Sequence, residues 1–246
     1  MNIKVAIRVR PFNAREKQMN TDLCVRMNKH TTEVLDEDNK TVLKSFTLDN
    51  SFWSHSGFTE RGDGYLAPDS PQSQYADQTH VYDILGKDLL SNALEGYNCC
   101  LFAYGQTGAG KSYSVFGYGA NKGIVPMLCN ELLDGTRLSN SESRSFTLSV
   151  SMLEIYNEKV QDLLVPIASR PRAGLKVREN TKIGVFVEAL SKYEVSTYDQ
   201  IENVIAEGNK NKTLASTLMN ATSSRAHTII TLELIQKELA ANKQTQ

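Results

Sequence analysis

The chain opens on alternation. In IKVAIRVRP the apolar Ile3, Val5, Ile7 and Val9 are separated by polar or small residues, the period of a half-buried strand, and Pro11 stops it. The stretch EVLDEDNKTVLKSFTLDNSF, from Glu33 to Phe52, predicts two or three short strands joined at Asp38 and Asn39. Residues 54–78, rich in Gly, Ser, Pro and acids, predict a long surface loop. From 79 to 96 the period changes to that of a helix, with Val81, Ile84, Leu85, Leu89 and Leu90 on one face and Gly96 suited to its end. NCCLFAYG follows as a short buried strand, and a Gly-rich turn then leads into a further helix. GIVPMLCNELLDG predicts a helix ending near Gly135. SFTLSVSMLEIYNEKVQDLL predicts a strand running into a short helix, and LKVREN and GVFVEALSKYEV predict further strands. STYDQIENVIAEGNKN, capped by Ser196 or Thr197 and apolar at Ile201, Val204 and Ile205, predicts a helix. The segment from Ala226 opens β-rich and dissolves into polar residues.

Composition narrows the field. The 246 residues, 40% of them hydrophobic, can build a packed core. The 27 Lys and Arg against 28 Asp and Glu give no global field to draw in nucleic acid or anionic lipid. The N-terminal segment is broken by Arg8 and Arg10, and no apolar run reaches membrane-spanning length, so a cytosolic protein without direct membrane insertion is expected. The four cysteines form no C-x-x-C, and Cys99 and Cys100 fall in the apolar run. Reduced structural thiols are therefore expected.

The chemistry is concentrated in GQTGAGKS, residues 105–112, which fits G-x-x-x-x-G-K-[ST]. Gly105, Gly108 and Gly110, with Gln106, Thr107 and Ala109 between them, let the backbone wrap so that its N–H groups face phosphate oxygens. Lys111 reaches the β- and γ-phosphates, and Ser112 offers a hydroxyl to Mg²⁺. Helix, buried strand, Gly-rich turn, helix is an α/β arrangement with a phosphate site at the carboxyl end of a strand. The expected ligand is ATP or GTP with Mg²⁺.

KVAIRVRPFNARE, FAYGQTGAGKSYSVFG, LEIYNEKVQDLL and NATSSRAH occur in the order and spacing of the kinesin motor domain, and the resemblance runs from residue 3 to about residue 236. NSFWSH, GYGANKGIVP, LKVREN and GNKNKTLASTLMN resemble the third, vesicle-transporting class. The resemblance implies a P-loop NTPase with a central, mostly parallel mixed β-sheet flanked by helices. It also implies an ATPase that uses Mg-ATP to move along microtubules in the cytoplasm. Arg8, Arg10 and Pro11 would line the adenine side, with Tyr113 stacking on the base; flat guanidinium and phenol surfaces suit a purine. Asn220 would hold the nucleotide, Ser223 and Ser224 would face the γ-phosphate and Mg²⁺, and Arg225 would bridge to an acid in a second switch. Ala226 stands where most of the family has serine. His227 is expected to be structural, and Lys159, Lys176 and Arg178 to lie on a face presented to acidic tubulin.

The family's second switch, D-L-A-G-S-E, has no counterpart, since no D-x-x-G follows Ser224. Residues 1–246 are thus expected to be a single, C-terminally truncated motor domain that is inactive by itself. Two other classes fit the same residues: a non-motor P-loop NTPase and a catalytically silent, kinesin-derived interaction module.

Overall fold

The computed structural model describes residues 3–36, 38, 41–139, 144–182, 184–218 and 226–238. The chain divides into two compact units, Met1–Leu128 and Cys129–Gln246.

In the first unit the opening alternation forms β1 (Ala6–Val9), which pairs in parallel with β5 (Asn50–Trp53) from Ala6 opposite Asn50 to Val9 opposite Trp53. Between them lie α1 (Ala14–Gln18) and an antiparallel meander of β2 (Val25–Asn28), β3 (Thr31–Leu35) and β4 (Val42–Thr47). Helix α1 starts where it does because Asn13 and Glu16 form a reciprocal capping box. The expected loop 54–78 is not structureless. It folds into a hairpin of β6 (Phe58–Glu60) and β7 (Leu66–Pro68), and Tyr75 bridges back to Trp53. Helix α2 (Gln78–Leu94) begins at Asp77, whose carboxylate accepts from the His80 N–H, and it buries Val81 and Tyr82 against Phe52, Ala76 and Ile124. After it come α3 (Lys111–Val115) and a two-residue hairpin of β8 (Gly117–Tyr118) and β9 (Asn121–Lys122). Helix α4 (Ile124–Ser139) runs past Gly135, beyond the end the sequence suggested.

One expectation is overturned here. Residues 98–105, the NCCLFAYG run, pair with no strand among the described residues and are not buried: Phe102 is 80% exposed and Tyr104 97%. Cys99 and Cys100 are exposed with them, as is Cys24, whereas Cys129 is buried. An apolar run becomes a buried strand only when neighbouring strands take its N–H and C=O groups, and that requirement is nonlocal.

In the second unit the long β10 (Arg144–Tyr156) lies between β15 (His227–Glu238) on one edge and β11 (Lys159–Asp162) and β14 (Tyr193–Val195) on the other, all antiparallel to it. The short helix expected after Tyr156 is instead the return strand β11. Asn157 and Glu158 take positive φ in a two-residue turn, β11 pairs back onto β10, and its alternate residues Val160 and Asp162 are buried. Strands β12 (Val177–Asn180) and β13 (Gly184–Val187) form a separate exposed hairpin. Helix α5 (Tyr198–Leu218) lies close against β10. A Cβ on Gly208 would collide with Met152 Sδ, so this position accepts no side chain unless the methionine shifts. No described helix is long and apolar enough to cross a membrane.

Candidate functional site

The Gly-rich turn adopts a conformation that only its glycines make easy. Gly105, Gly108 and Gly110 have φ of 153°, 79° and 95°, and Gly110 caps α3 in the left-handed region. The Ala109 N–H donates to the Gln106 carbonyl at 3.1 Å, closing the turn. Lys111 lies back across it, its Nζ donating to the carbonyls of Gly105 (2.7 Å) and Gln106 (2.9 Å). The lysine is thereby held over the mouth of the loop by weak, neutral acceptors that a phosphate oxygen can replace. Ser112, Gln106, Thr107 and Gly108 are exposed.

Arg10 reaches this turn. A Cβ on Gly110 would lie 3.8 Å from the Arg10 Cβ. Its guanidinium grips Glu16 with two bonds of 2.6 Å and also donates to the Pro11 carbonyl at 2.8 Å. The same Glu16 accepts from the Asn13 N–H, so one carboxylate ties the β1 exit to α1. Those hydrogen bonds, first from Arg10 and then from Asn13, hold the Glu16 carboxyl at about 2. His55 Nδ1 lies 3.0 Å from the Arg10 carbonyl oxygen, and the His55 ring meets Phe12 edge-on with centroids 4.6 Å apart.

Arg8 is placed differently. Its guanidinium is turned into the protein and donates to Ser54 Oγ (2.9 Å), Gln78 Oε1 (2.6 Å), Ser114 Oγ (3.1 Å) and the Ala76 carbonyl (3.3 Å). It also lies over the Tyr113 ring, 5.1 Å from the centroid. Burial lowers its pKa, opposed by the neighbouring phenols and Asp77. Burial likewise raises Tyr113 and Tyr75, whose rings approach the same cation. Segments far apart in sequence, β1, Ser54 just after β5, Ala76, α2 and α3, therefore meet on one guanidinium. Gln78 and Asn121, both buried, belong to this network and carry no motif that would have singled them out. The sequence signal for Gln78 was only its place one residue after the Asp77 cap.

Asn220, Ser223, Ser224 and Arg225 lie outside the described residues. Their flanks, α5 and β15, are described, and Lys212 Nζ on α5 donates to Thr228 Oγ1 on β15 at 2.7 Å. Ala226 is half-buried, and His227 opens β15 on an exposed position opposite Ile155. Lys159 and Lys176 are exposed, while Arg178 is paired with Glu188 at 3.1 Å. Glu154, opposite Thr228 in the ladder, is buried, and burial raises its carboxyl against the opposing influence of Lys212 and Arg170.

The family model described as Kinesin motor domain matches residues 8–246. Kinesin-related protein 1 of Dictyostelium discoideum is 43% identical over 258 aligned positions, covering all of this chain and 11% of that protein. Kinesin-like protein KIF28 of Rattus norvegicus is 44% identical over 237 residues, 96% of this chain and 22% of its own length. Human kinesin-like protein KIF1B is 42% identical over 240 residues, 96% of this chain and 12% of its own. Among solved structures, KIF14 residues 391–755 with ADP on a microtubule superposes with a TM-score of 0.82 at 36% identity, covering all of this chain and 64% of that one. A KIF14 dimer with AMP-PNP on a microtubule gives 0.81 at 38% identity. The chain thus spans roughly a tenth to a quarter of the length of these curated relatives and 64% of the solved motor.

Proposed function

Since the chain belongs to the kinesin motor domain family, we propose that it supplies the nucleotide-binding part of a microtubule-stimulated ATPase that moves along microtubules in the cytoplasm. The observation that carries this reading is the turn from Gly105 to Ser112, with three glycines at positive φ and Lys111 Nζ poised on two backbone carbonyls. In binding ATP, Lys111 exchanges those carbonyls for β- and γ-phosphate oxygens, a gain in charge-assisted bonding. The N–H groups at the start of α3 take the remaining phosphate charge. On the base side, Arg10 and Pro11 are immobilised by the Glu16 bond pair before ligand arrives, which lowers the ordering cost of binding. Arg8 acts behind Tyr113, holding its ring for stacking and leaving the base contact to Arg10, Pro11 and Tyr113.

The residues fit Mg²⁺: Ser112 presents an exposed hydroxyl in the first turn after the phosphate loop, and Ser224 is its expected partner from the switch segment. When bound, the ion neutralises charge on the phosphate oxygens during phosphoryl transfer. Asn220, Ser223 and Arg225 are proposed to close on the γ-phosphate, and the Lys212–Thr228 bond ties together the two stems from which that segment springs. Lys159 and Lys176, both exposed, are proposed to meet an acidic filament.

The test is ATP turnover by the full-length protein with and without microtubules. Stimulation by microtubules, abolished by Lys111→Ala, is expected. Turnover indifferent to microtubules would make the protein a non-motor P-loop NTPase, and microtubule binding without turnover would make it a silent interaction module.

A further inference from the structure

Gln78 is a polar side chain only 2% exposed at the first position of α2, where a buried amide is costly unless every group finds a partner. It finds three. Its Oε1 accepts from Arg8 Nη1 at 2.6 Å, and its Nε2 donates to the Tyr113 carbonyl at 2.7 Å and the Asn121 carbonyl at 3.1 Å. The chemistry of the partners leaves the amide no alternative orientation. A guanidinium can only donate and a carbonyl can only accept, so a flipped amide would set N–H against N–H and oxygen against two oxygens. The amide therefore works as a spacer of defined polarity between β1, which carries Arg8, and the first turn of α3, which carries Tyr113.

Arg8 in turn covers one face of the Tyr113 ring and bonds Ser114 beside it. Gln78 thus controls Tyr113 twice, through its backbone carbonyl and through the cation lying on its ring. The third bond extends the set outward. Asn121 accepts from the Leu66 N–H at 2.9 Å and donates to the Gly64 carbonyl at 2.8 Å, so the β6–β7 hairpin is fastened to the same amide.

We propose that Gln78 is a positioning residue for base selection: by fixing Arg8 and Tyr113 relative to the phosphate loop, it sets how well a purine is preferred over a pyrimidine. This rests on the base-side role of Tyr113 proposed above. Phosphate recognition, made by the turn and the N–H groups that open α3, involves no group bonded to Gln78, so the two halves of nucleotide affinity should separate on its mutation.

The experiment measures affinities of the full-length protein for ATP, CTP and inorganic tripolyphosphate in wild type, Gln78→Met, Gln78→Glu and Tyr113→Ala. Met fills the space without polar groups. Glu keeps the acceptor for Arg8 but sets a carboxylate oxygen against two carbonyls, a different error at the same place. In both Gln78 variants the ATP-to-CTP affinity ratio should fall about tenfold, the size of one net hydrogen bond, with tripolyphosphate affinity held within about twofold. Losses that are equal for all three ligands would make Gln78 a general structural residue and overturn the proposal. A ratio unchanged in both Gln78 variants but lowered in Tyr113→Ala would overturn it while leaving the base-side reading intact. A ratio unchanged in Tyr113→Ala would overturn that reading and the proposal with it.

Discussion

Arg8→Met tests whether the half-buried cation stabilises the first unit or is merely tolerated there. Methionine keeps the length and apolar stem of the side chain but removes every donor. Of the four acceptors, the Ala76 carbonyl keeps a bond from Ser54 Oγ at 2.6 Å, and Ser114 is not fully buried. The stranded group is Gln78 Oε1, on a residue 2% exposed, and leaving such an acceptor unpaired costs about 1–3 kcal/mol. Loss of the cation over Tyr113 adds about 0.5–2 kcal/mol. Against these stands relief from burying a charge, the same burial that lowers the Arg8 pKa. With that relief subtracted, the net expectation is a destabilisation of about 1–3 kcal/mol. Trp53 is the sole tryptophan of the 246 residues and sits on β5 opposite Val9, so its fluorescence in a urea titration reports on this unit. Arg8→Lys, which keeps charge but only a point donor, should fall between wild type and Arg8→Met. A loss below about 1 kcal/mol for Arg8→Met would refute the reasoning, because relief of desolvation would then have cancelled the broken network.

Lys111→Ala should weaken ATP binding by about 1.5–3 kcal/mol while leaving adenosine affinity unchanged, since the lysine acts on phosphate; calorimetry with both ligands decides, and equal losses would mean a collapsed site. The Glu16 carboxyl, held at about 2 by Arg10, contributes stability that is present above its unfolded pKa and lost as pH falls through the folded value. Acid titration from about pH 4.5 down to about 2 should therefore loosen the β1–α1 junction, and a carboxyl NMR titration with a Glu16 midpoint near the ordinary glutamate value would refute the pairing. Cys129, pushed up to about 12 by burial, should resist a thiol reagent at pH 8 in the native protein while Cys24, Cys99 and Cys100 react; uniform reaction would contradict the packing around α4.

Sequence alone determined what is contiguous. The phosphate loop could be read because its glycines, Lys111 and Ser112 act within one turn, and each local geometry is a property of the residue itself. Helix α2 was legible from the 3.6 period and its cap, and β1 from alternation, for the same reason. Tertiary structure decided whatever needs a distant partner. Residues 159–162 have the composition of a short helix but become β11 because β10 supplies a ladder and buries Val160. Residues 98–105 have the composition of a buried strand, yet among the described residues no strand pairs with them, and 98–104 stay exposed. Arg8 is also the centre of a half-buried network that the alternation of β1 did not disclose, its acceptors Ser54, Gln78 and Ser114 lying 46, 70 and 106 residues away. A hydrogen-bond donor's type is written in the sequence, but its partner is chosen by which chain segments the fold brings within about 3 Å, and that choice is made by packing rather than by propensity.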